Sequence, residues 1–341
     1  MSLVLTLLIG VPSNAFARAS AKPIHPQEEK VATSKDWGPL NVDRLVFFHG
    51  AIFAGSNAGV IEITDQEKTQ FRFHRSDDVV TGPWLDRATD RLWFSDEHDG
   101  DLIYLDRKGW KKVPLPLPSS RRLTRADVLK GLSITSTSEG SFMAWAGSGW
   151  KWSEAMEQWM PIPELSKKMR VIGLLPIGDH LFVLENRQTA PYDPQITPTV
   201  TDRIFRIDGS SAIAVPAQVE PFLTGTWEAA TFGAVICTAD RRLLRVSDTH
   251  ITQVTGLSGC NSLGTTDSGN VLAAFENGQV WEIGPATEKI VSRIDVSSGP
   301  CEAHVAMADG FVAISSSKAQ SNGNECRDVI ARQSLTAPSL P

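Results

Sequence analysis

Residues 81–116 read TGPWLDRATDRLWFSDEHDGDLIYLDRKGWKKVPLP. An apolar start at Trp84 and Leu85 runs into a turn at Ala88-Thr89-Asp90. A strand follows at Leu92-Trp93-Phe94, then a turn ending in Asp99-Gly100. The next strand is Leu102 to Leu105, and the last carries Trp110. Four short strands joined by tight turns make one antiparallel sheet. Such a sheet cannot bury both of its faces alone, but a ring of them can.

The rest of the chain repeats this unit. The residue opening the second strand recurs as Gly50, Asp90, Gly140, Gly178, Gly233, Gly269 and Gly310, at a mean spacing of about 43 residues. That is the length of a four-stranded propeller blade. A second landmark follows about nine residues later, as Gly59, Gly100, Arg241 and Gly278, where a turn opens the third strand. In the fourth unit Asp202-Arg-Ile-Phe-Arg takes this part after a long insertion. The sequence therefore predicts an all-β protein, a seven-bladed β-propeller of four-stranded antiparallel blades. The competing reading, a β-sandwich followed by a second domain, leaves the shared phase of the two landmarks unexplained. No helical period persists, although Leu123 to Leu129 and Ser153 to Trp159 each fit a turn or two of helix.

The 341 residues divide accordingly. Residues 1–17, MSLVLTLLIGVPSNAFA, carry an apolar run and a small-residue Ala15-Phe16-Ala17 end. They predict a signal peptide cleaved before Arg18, without the usual basic start, or else a buried first strand. Residues 18–38 read as an extended polar arm, 39–334 as a single β-propeller domain and 335–341 as a loose tail. The last unit stops after its third strand, Asp328 to Gln333, so part of 28–46 is expected to supply its outer strand. No later run is long enough to cross a bilayer.

Composition narrows the function classes. The chain is 41% hydrophobic and 21% charged, which places it among globular proteins. A net charge of −6 argues against a nucleic-acid partner. Cys237, Cys260, Cys301 and Cys326 all fall in the last third, and an even count in an exported chain predicts disulfides. Cys260 and Cys301 hold equivalent positions in neighbouring units. The pairing expected is Cys301–Cys326 within the last blade and Cys237–Cys260 between blades. A catalytic thiol is disfavoured, since no adjacent His is evident in sequence.

The repeats resemble those of two-component-regulator propellers. The resemblance rests on Leu92-Trp93-Phe94-Ser95, a turn, Asp101-Leu102-Ile103-Tyr104 and Trp110, with a second outer Trp at Trp159 before Met160-Pro161. It covers the second and third units. Thr81-Gly82-Pro83 is more weakly similar to the opening blade of the gluconolactonase and senescence-marker family. That resemblance implies a metal ligand where Thr81 stands, and threonine cannot replace a carboxylate. Cys260-Asn261-Ser262-Leu263 is similar to an Asn ligand of the same family.

Propeller geometry selects the candidate site. First strands line the channel, and their starts share a face with the loops between second and third strands. The polar candidates at strand starts are Asp43, Arg44, Trp84, Glu228, Asn261, Glu302 and His304. Glu302 and His304 are two apart and should point the same way. With Glu228 and Asn261 they would form any divalent-metal or acid–base cluster; otherwise they line a water-filled channel. The insertion Asn186 to Thr201, with three prolines and Tyr192, should lie on that face and is the best candidate for ligand contact. Asp96 to Asp101 is rich in oxygen donors, but Asp99-Gly100 is an ordinary hairpin turn. Trp145, Trp150, Trp152 and Trp159 read as packing between blades. The basic run Arg107, Lys108, Lys111, Lys112, Arg121, Arg122 and Arg125 reads as an outer edge strand.

These observations predict a secreted or periplasmic propeller that binds a protein or a small-molecule ligand through its loop face, with no cofactor and no chemistry of its own. The alternative is a metal-dependent hydrolase or lactonase working at the channel mouth.

Overall fold

The computed structural model describes residues 30–33, 42–57, 59–63, 70–74, 79–96, 100–116, 132–166, 170–188, 200–208, 211–266, 268–293, 300–308, 311–319 and 326–334. The first sheet holds β1 (Lys30–Thr33), β2 (Val42–Phe48), β3 (Ala51–Ser56), β4 (Gly59–Ile63) and β5 (Gln70–Phe73). The second holds β6 (Val80–Asp86), β7 (Arg91–Asp96), β8 (Asp101–Asp106) and β9 (Gly109–Pro114). The third is β10 (Ser133–Thr137), β11 (Gly140–Trp145), β12 (Ser148–Ser153) and β13 (Gln158–Pro161). The fourth is β14 (Val171–Ile177), β15 (His180–Gln188), β16 (Val200–Asp208) and β17 (Ser211–Ala214). The fifth is β18 (Thr224–Ala230), β19 (Gly233–Thr238), β20 (Arg242–Val246) and β21 (Ile251–Ser258). The sixth is β22 (Cys260–Thr265), β23 (Val271–Phe275), β24 (Gln279–Ile283) and β25 (Glu288–Arg293). The last is β26 (Pro300–Ala308), β27 (Phe311–Ala319) and β28 (Cys326–Ser334).

All pairings within the sheets are antiparallel. The inner strands β2, β6, β10, β14, β18, β22 and β26 follow one another around the centre, and β26 meets β2 to close the ring. The all-β propeller with four-stranded antiparallel blades is the fold. Six sheets hold four strands or more, so six blades are complete rather than the expected seven. The sheet at 300–334 holds three strands among the described residues.

The strand expected to complete that sheet goes elsewhere. β1 pairs with β5, from Lys30↔Phe73 to Thr33↔Gln70, and becomes the fifth strand of the first sheet. The link is long enough for this. From the inner strand β2 to the outer edge beyond β5 is four strand spacings, about 19 Å. The link at residues 34–41 can extend to about 30 Å, so the chain covers its own sheet without crossing to another.

The core sits between sheets and follows the two-residue alternation of strands. Leu92 and Phe94 of β7 pack toward Val46 and Phe53 of the first sheet, whereas Trp93 packs toward Met143 and Trp145 of the third. Likewise Ile236 of β19 joins Leu175 and Phe182, while Val235 joins Leu263 and Val271. Trp93, Tyr104, Trp152 and Trp159 meet between the second and third sheets, with ring centroids 4.6 to 5.4 Å apart. The Trp residues of the third unit are thus packing residues, with Trp150 partly buried against the same cluster. β9 is the outer edge strand expected from the basic run: Lys112 pairs with Asp101 at 2.9 Å and Arg107 with Asp90 at 2.8 Å. Arg121, Arg122 and Arg125 lie outside the described residues, as does the helix expected at 123–129.

Residues 153–159 are not helical. They end β12, turn, and begin β13. Alternation explains this, since Trp152 and Trp159 pair across the hairpin on one buried face. Among the described residues the helix is the single turn α1 (Pro163–Ser166). Its Leu165 fills the space over Gly149, where a Cβ would stand 2.4 Å from Leu165 Cδ1.

Cys237 of β19 and Cys260 of β22 form the expected disulfide between neighbouring blades, with Cα atoms 5.6 Å apart. The side chains of Cys301 and Cys326 lie outside the described set. So do residues 1–17, most of the 18–38 arm and the tail 335–341. Among the described residues no helix is long and apolar enough to cross a membrane.

Candidate functional site

The inner strands enclose a channel with about 80 Å³ of room. Its walls come from Arg44 and Val46 of β2, Trp84 of β6, Ser133 and Thr135 of β10, Leu174 of β14, and Trp227 and Glu228 of β18. Arg87, just after β6, and Thr265, the last residue of β22, also line it. Trp84 and Glu228 are each the fifth residue of a seven-residue strand. The cavity therefore lies toward the end where inner strands turn into their first hairpins. Three of the candidates read from the sequence, Arg44, Trp84 and Glu228, line it.

A repeated backbone feature marks the starts of the inner strands. Pairing of inner to second strand slips near the start of β2 (Val42/Arg44), β6 (Thr81/Trp84), β14 (Val171/Gly173), β18 (Thr224/Thr226), β22 (Cys260/Ser262) and β26 (Pro300/Ala303). β10 alone pairs without a slip. A bulge inserts an unpaired residue and re-aims the local chain. Asp43, Asn261 and Glu302 fall within these bulges. In β26 pairing resumes after the slip at Ala303↔Ser316 and His304↔Ser315.

Asn261 is consequently parted from Glu228. Its carboxamide oxygen accepts a hydrogen bond from Arg241 Nη1 at 3.2 Å, and Arg241 also pairs with Glu276 at 2.7 Å. Arg241 and Glu276 sit at turns after second strands, so this group lies on the face where inner strands start. Glu228 lies inside, with its side chain 7% exposed, and forms an ion pair with Arg44 across the channel. Trp84 and Trp227 wall that pair with apolar surface, which strengthens charge interactions by excluding water. Trp227 is held against Gly173, where a Cβ would stand 2.5 Å from Trp227 Cζ2.

The insertion is shorter than read. β15 and β16 extend into it, pairing Asn186↔Asp202, Arg187↔Thr201 and Gln188↔Val200. Its base is tied down by Asp202, which accepts from Asn186 Nδ2 at 2.8 Å and from the Thr224 backbone N–H at 2.6 Å. Tyr192 lies outside the described residues, and so do the side chains of Asp43, Glu302 and His304. Among the described residues no three His, Cys, Asp or Glu side chains converge as a metal site would require.

Sequence reading missed three residues. Arg87 lines the cavity, and burial pushes its guanidinium below the ordinary arginine value. Ser133 is buried with its hydroxyl unpartnered. Asp86, fully buried, accepts hydrogen bonds from Thr89, Trp93 and Ser141 and so joins the second blade to the third. The available signal was position: Asp86, Arg87, Ser133 and Thr135 are polar residues at the inner-strand level of otherwise apolar units.

No family model matches the chain, and no curated protein matches it significantly. Solved structures do. PorZ, a surface component of the type-IX secretion system of Porphyromonas gingivalis, matches with a TM-score of 0.58 at 11% identity, over 91% of this chain. The chain spans 39% of PorZ. A streptogramin B lyase structure matches with a TM-score of 0.57 at 14% identity, over 84% of this chain and 93% of the lyase. The extracellular domain of a proposed hybrid two-component system from B. thetaiotaomicron matches with a TM-score of 0.52 at 11% identity, over 90% of this chain and 40% of that one. The similarity to two-component-regulator propellers read from the repeats thus extends to the three-dimensional fold, and the fold is what these proteins share with the chain.

Proposed function

We propose that the protein is an extracytoplasmic propeller that binds a partner through the loop face on which its inner strands start, with no chemistry of its own. The size and state of the channel carry this reading. Pockets for organic ligands run to roughly 300–1,000 Å³. The channel offers about 80 Å³, and its one described carboxylate is held by Arg44. An organic substrate has no room there, so contacts with a larger partner fall to the rim. The base of the β15–β16 hairpin, fixed through Asp202, stands on that face, and the segment 189–199 joins its two strands. The Cys237–Cys260 bridge supports an oxidising compartment, secreted or periplasmic.

Affinity capture from the native envelope or secreted fraction tests the reading, comparing the intact protein with one whose 189–199 segment is replaced by a short Gly-Ser link. A partner held by the first and lost by the second is the expected result. Equal capture by both would remove that loop from the interface. The alternative is a divalent-metal hydrolase or lactonase, a class that the weaker family resemblance favours. Stoichiometric metal in the purified protein, lost on Glu302→Ala or Glu228→Ala, would replace the binding reading with that one.

A further inference from the structure

The hairpin between β12 and β13 leaves two thioethers in solvent. Trp152 and Trp159 pair across it on the buried face, and the turn between them points outward. Met156 in that turn is 58% exposed, and Met160 on β13 is 38% exposed. Gln158 and Met160 are two apart on an edge strand and share its outer side. The Gln158 side-chain amide stands between the two sulfurs. Its Nε2 donates to Met156 Sδ at 3.7 Å and to Met160 Sδ at 3.4 Å. An amide nitrogen carries two N–H groups, whereas a thioether is only a weak acceptor. Two good donors are thus aimed at two sulfurs that use them poorly. Met143 is the contrast: it is 0% exposed and packs among Trp93, Trp145 and Trp152.

We propose that Met156 and Met160 form a paired oxidation site, at which a peroxide converts both thioethers to sulfoxides and the Gln158 amide binds the new oxygens. At each sulfur a lone pair attacks one peroxide oxygen and the O–O bond breaks. The second oxygen leaves as water after proton transfer. Each sulfur loses two electrons and each peroxide gains two. Exposure gives the oxidant access to this pair and withholds it from Met143. The product accounts for the amide. A sulfoxide oxygen is polar and accepts strongly, so each Gln158 N–H gains a better partner than sulfur. Methionine has three rotatable side-chain bonds and room at this edge to bring the oxygen to the amide. Trp152 and Trp159 stay packed beneath, so the change is confined to the outer side of the hairpin. Methionine sulfoxide reductases reverse the reaction, which makes the site able to cycle.

The test treats the full protein with increasing hydrogen peroxide and follows it by tandem mass spectrometry. The tryptic peptide 152–167 carries both methionines and no other. Met156 and Met160 should each take one oxygen, roughly tenfold faster than Met143. Nuclear magnetic resonance of isotope-labelled protein then reads the amide. The Gln158 side-chain N–H signals, identified by their loss in Gln158→Glu, should shift on oxidation and return after reductase treatment. In the Met156→Leu, Met160→Leu double variant, whose changes fall on exposed side chains, peroxide should leave those signals in place. Oxidation of Met143 at the same rate, or oxygen on one of the pair alone, would overturn the proposal. So would Gln158 signals that stay in place on oxidation or that move equally in the double leucine variant.

Discussion

Replacing Asp86 tests how the second and third blades are joined. Asp86 ends β6 and is fully buried. Its carboxylate accepts from the Thr89 backbone N–H at 3.2 Å, Thr89 Oγ1 at 2.6 Å, Trp93 Nε1 at 3.3 Å and Ser141 Oγ. Thr89 is part-exposed, and water can replace its partner. Trp93 and Ser141 are 0% and 1% exposed, so Asp86→Ala strands two donors where water does not reach. Each stranded group costs about 1–3 kcal/mol, giving roughly 3–5 kcal/mol for the pair and the void. For a chain of this length that is a fall in unfolding temperature of roughly 4–7 °C. Asp86→Asn keeps the volume and one acceptor and should cost about half as much.

Urea unfolding followed by tryptophan fluorescence and far-UV circular dichroism measures both variants. Ser141→Ala completes a double-mutant cycle, with an expected coupling of about 1–2 kcal/mol to Asp86. A cost below about 1 kcal/mol for Asp86→Ala, or simple additivity with Ser141→Ala, would refute the role given to this carboxylate.

Three further outcomes follow from the same structure. The Cys237→Ser, Cys260→Ser double variant opens a loop with a separation of 23 residues and should lose about 3 kcal/mol, read as a lower denaturation midpoint. Gly173→Ala drives a methyl to 2.5 Å from the Trp227 ring and should cost about 1–3 kcal/mol through overpacking, with a shifted tryptophan emission. Arg91 donates to both Glu154 oxygens, at 2.6 and 2.9 Å, and those bonds hold the Glu154 carboxyl below its ordinary value. A carboxyl depressed in the folded state contributes its stability in full above the unfolded value, near about 4.3, and loses it as pH falls through the folded value. Acid titration of stability should therefore show wild type converging on Glu154→Gln below about pH 4, and a constant gap at all pH values would contradict this.

The fold was legible because its turns impose a backbone demand that sequence must meet. Gly50, Asp90, Gly140, Gly178, Gly233 and Gly269 all have positive φ, from 54° to 143°. So do Gly59, Gly100, Arg241 and Gly278 of the second landmark. Tight hairpins require that conformation, and glycine adopts it without strain, so the spacing of these residues recorded the spacing of the blades. The disulfide was legible too, since the end of a second strand and the start of the next inner strand share one face of the ring. The channel was legible in part: Arg44, Trp84 and Glu228 were picked as inner-strand residues and line it, whereas Asn261 is drawn to the rim. A bulge adds one residue without a local signature as plain as a turn glycine. The strand pairing of β1 was hidden for another reason: a four-residue edge strand, Lys30–Thr33, carries too little pattern to say which of two neighbouring sheet edges it joins.

The same bulges divide the inner strands into two functional lengths. Before the slip, residues such as Asn261 belong to the rim, where Arg241 and Glu276 reach them from neighbouring turns. After it, regular pairing resumes and alternate residues build the wall that carries Arg44, Trp84, Trp227 and Glu228. Packing across that wall fixes its shape, since Trp227 already lies against Gly173 with no space for a methyl.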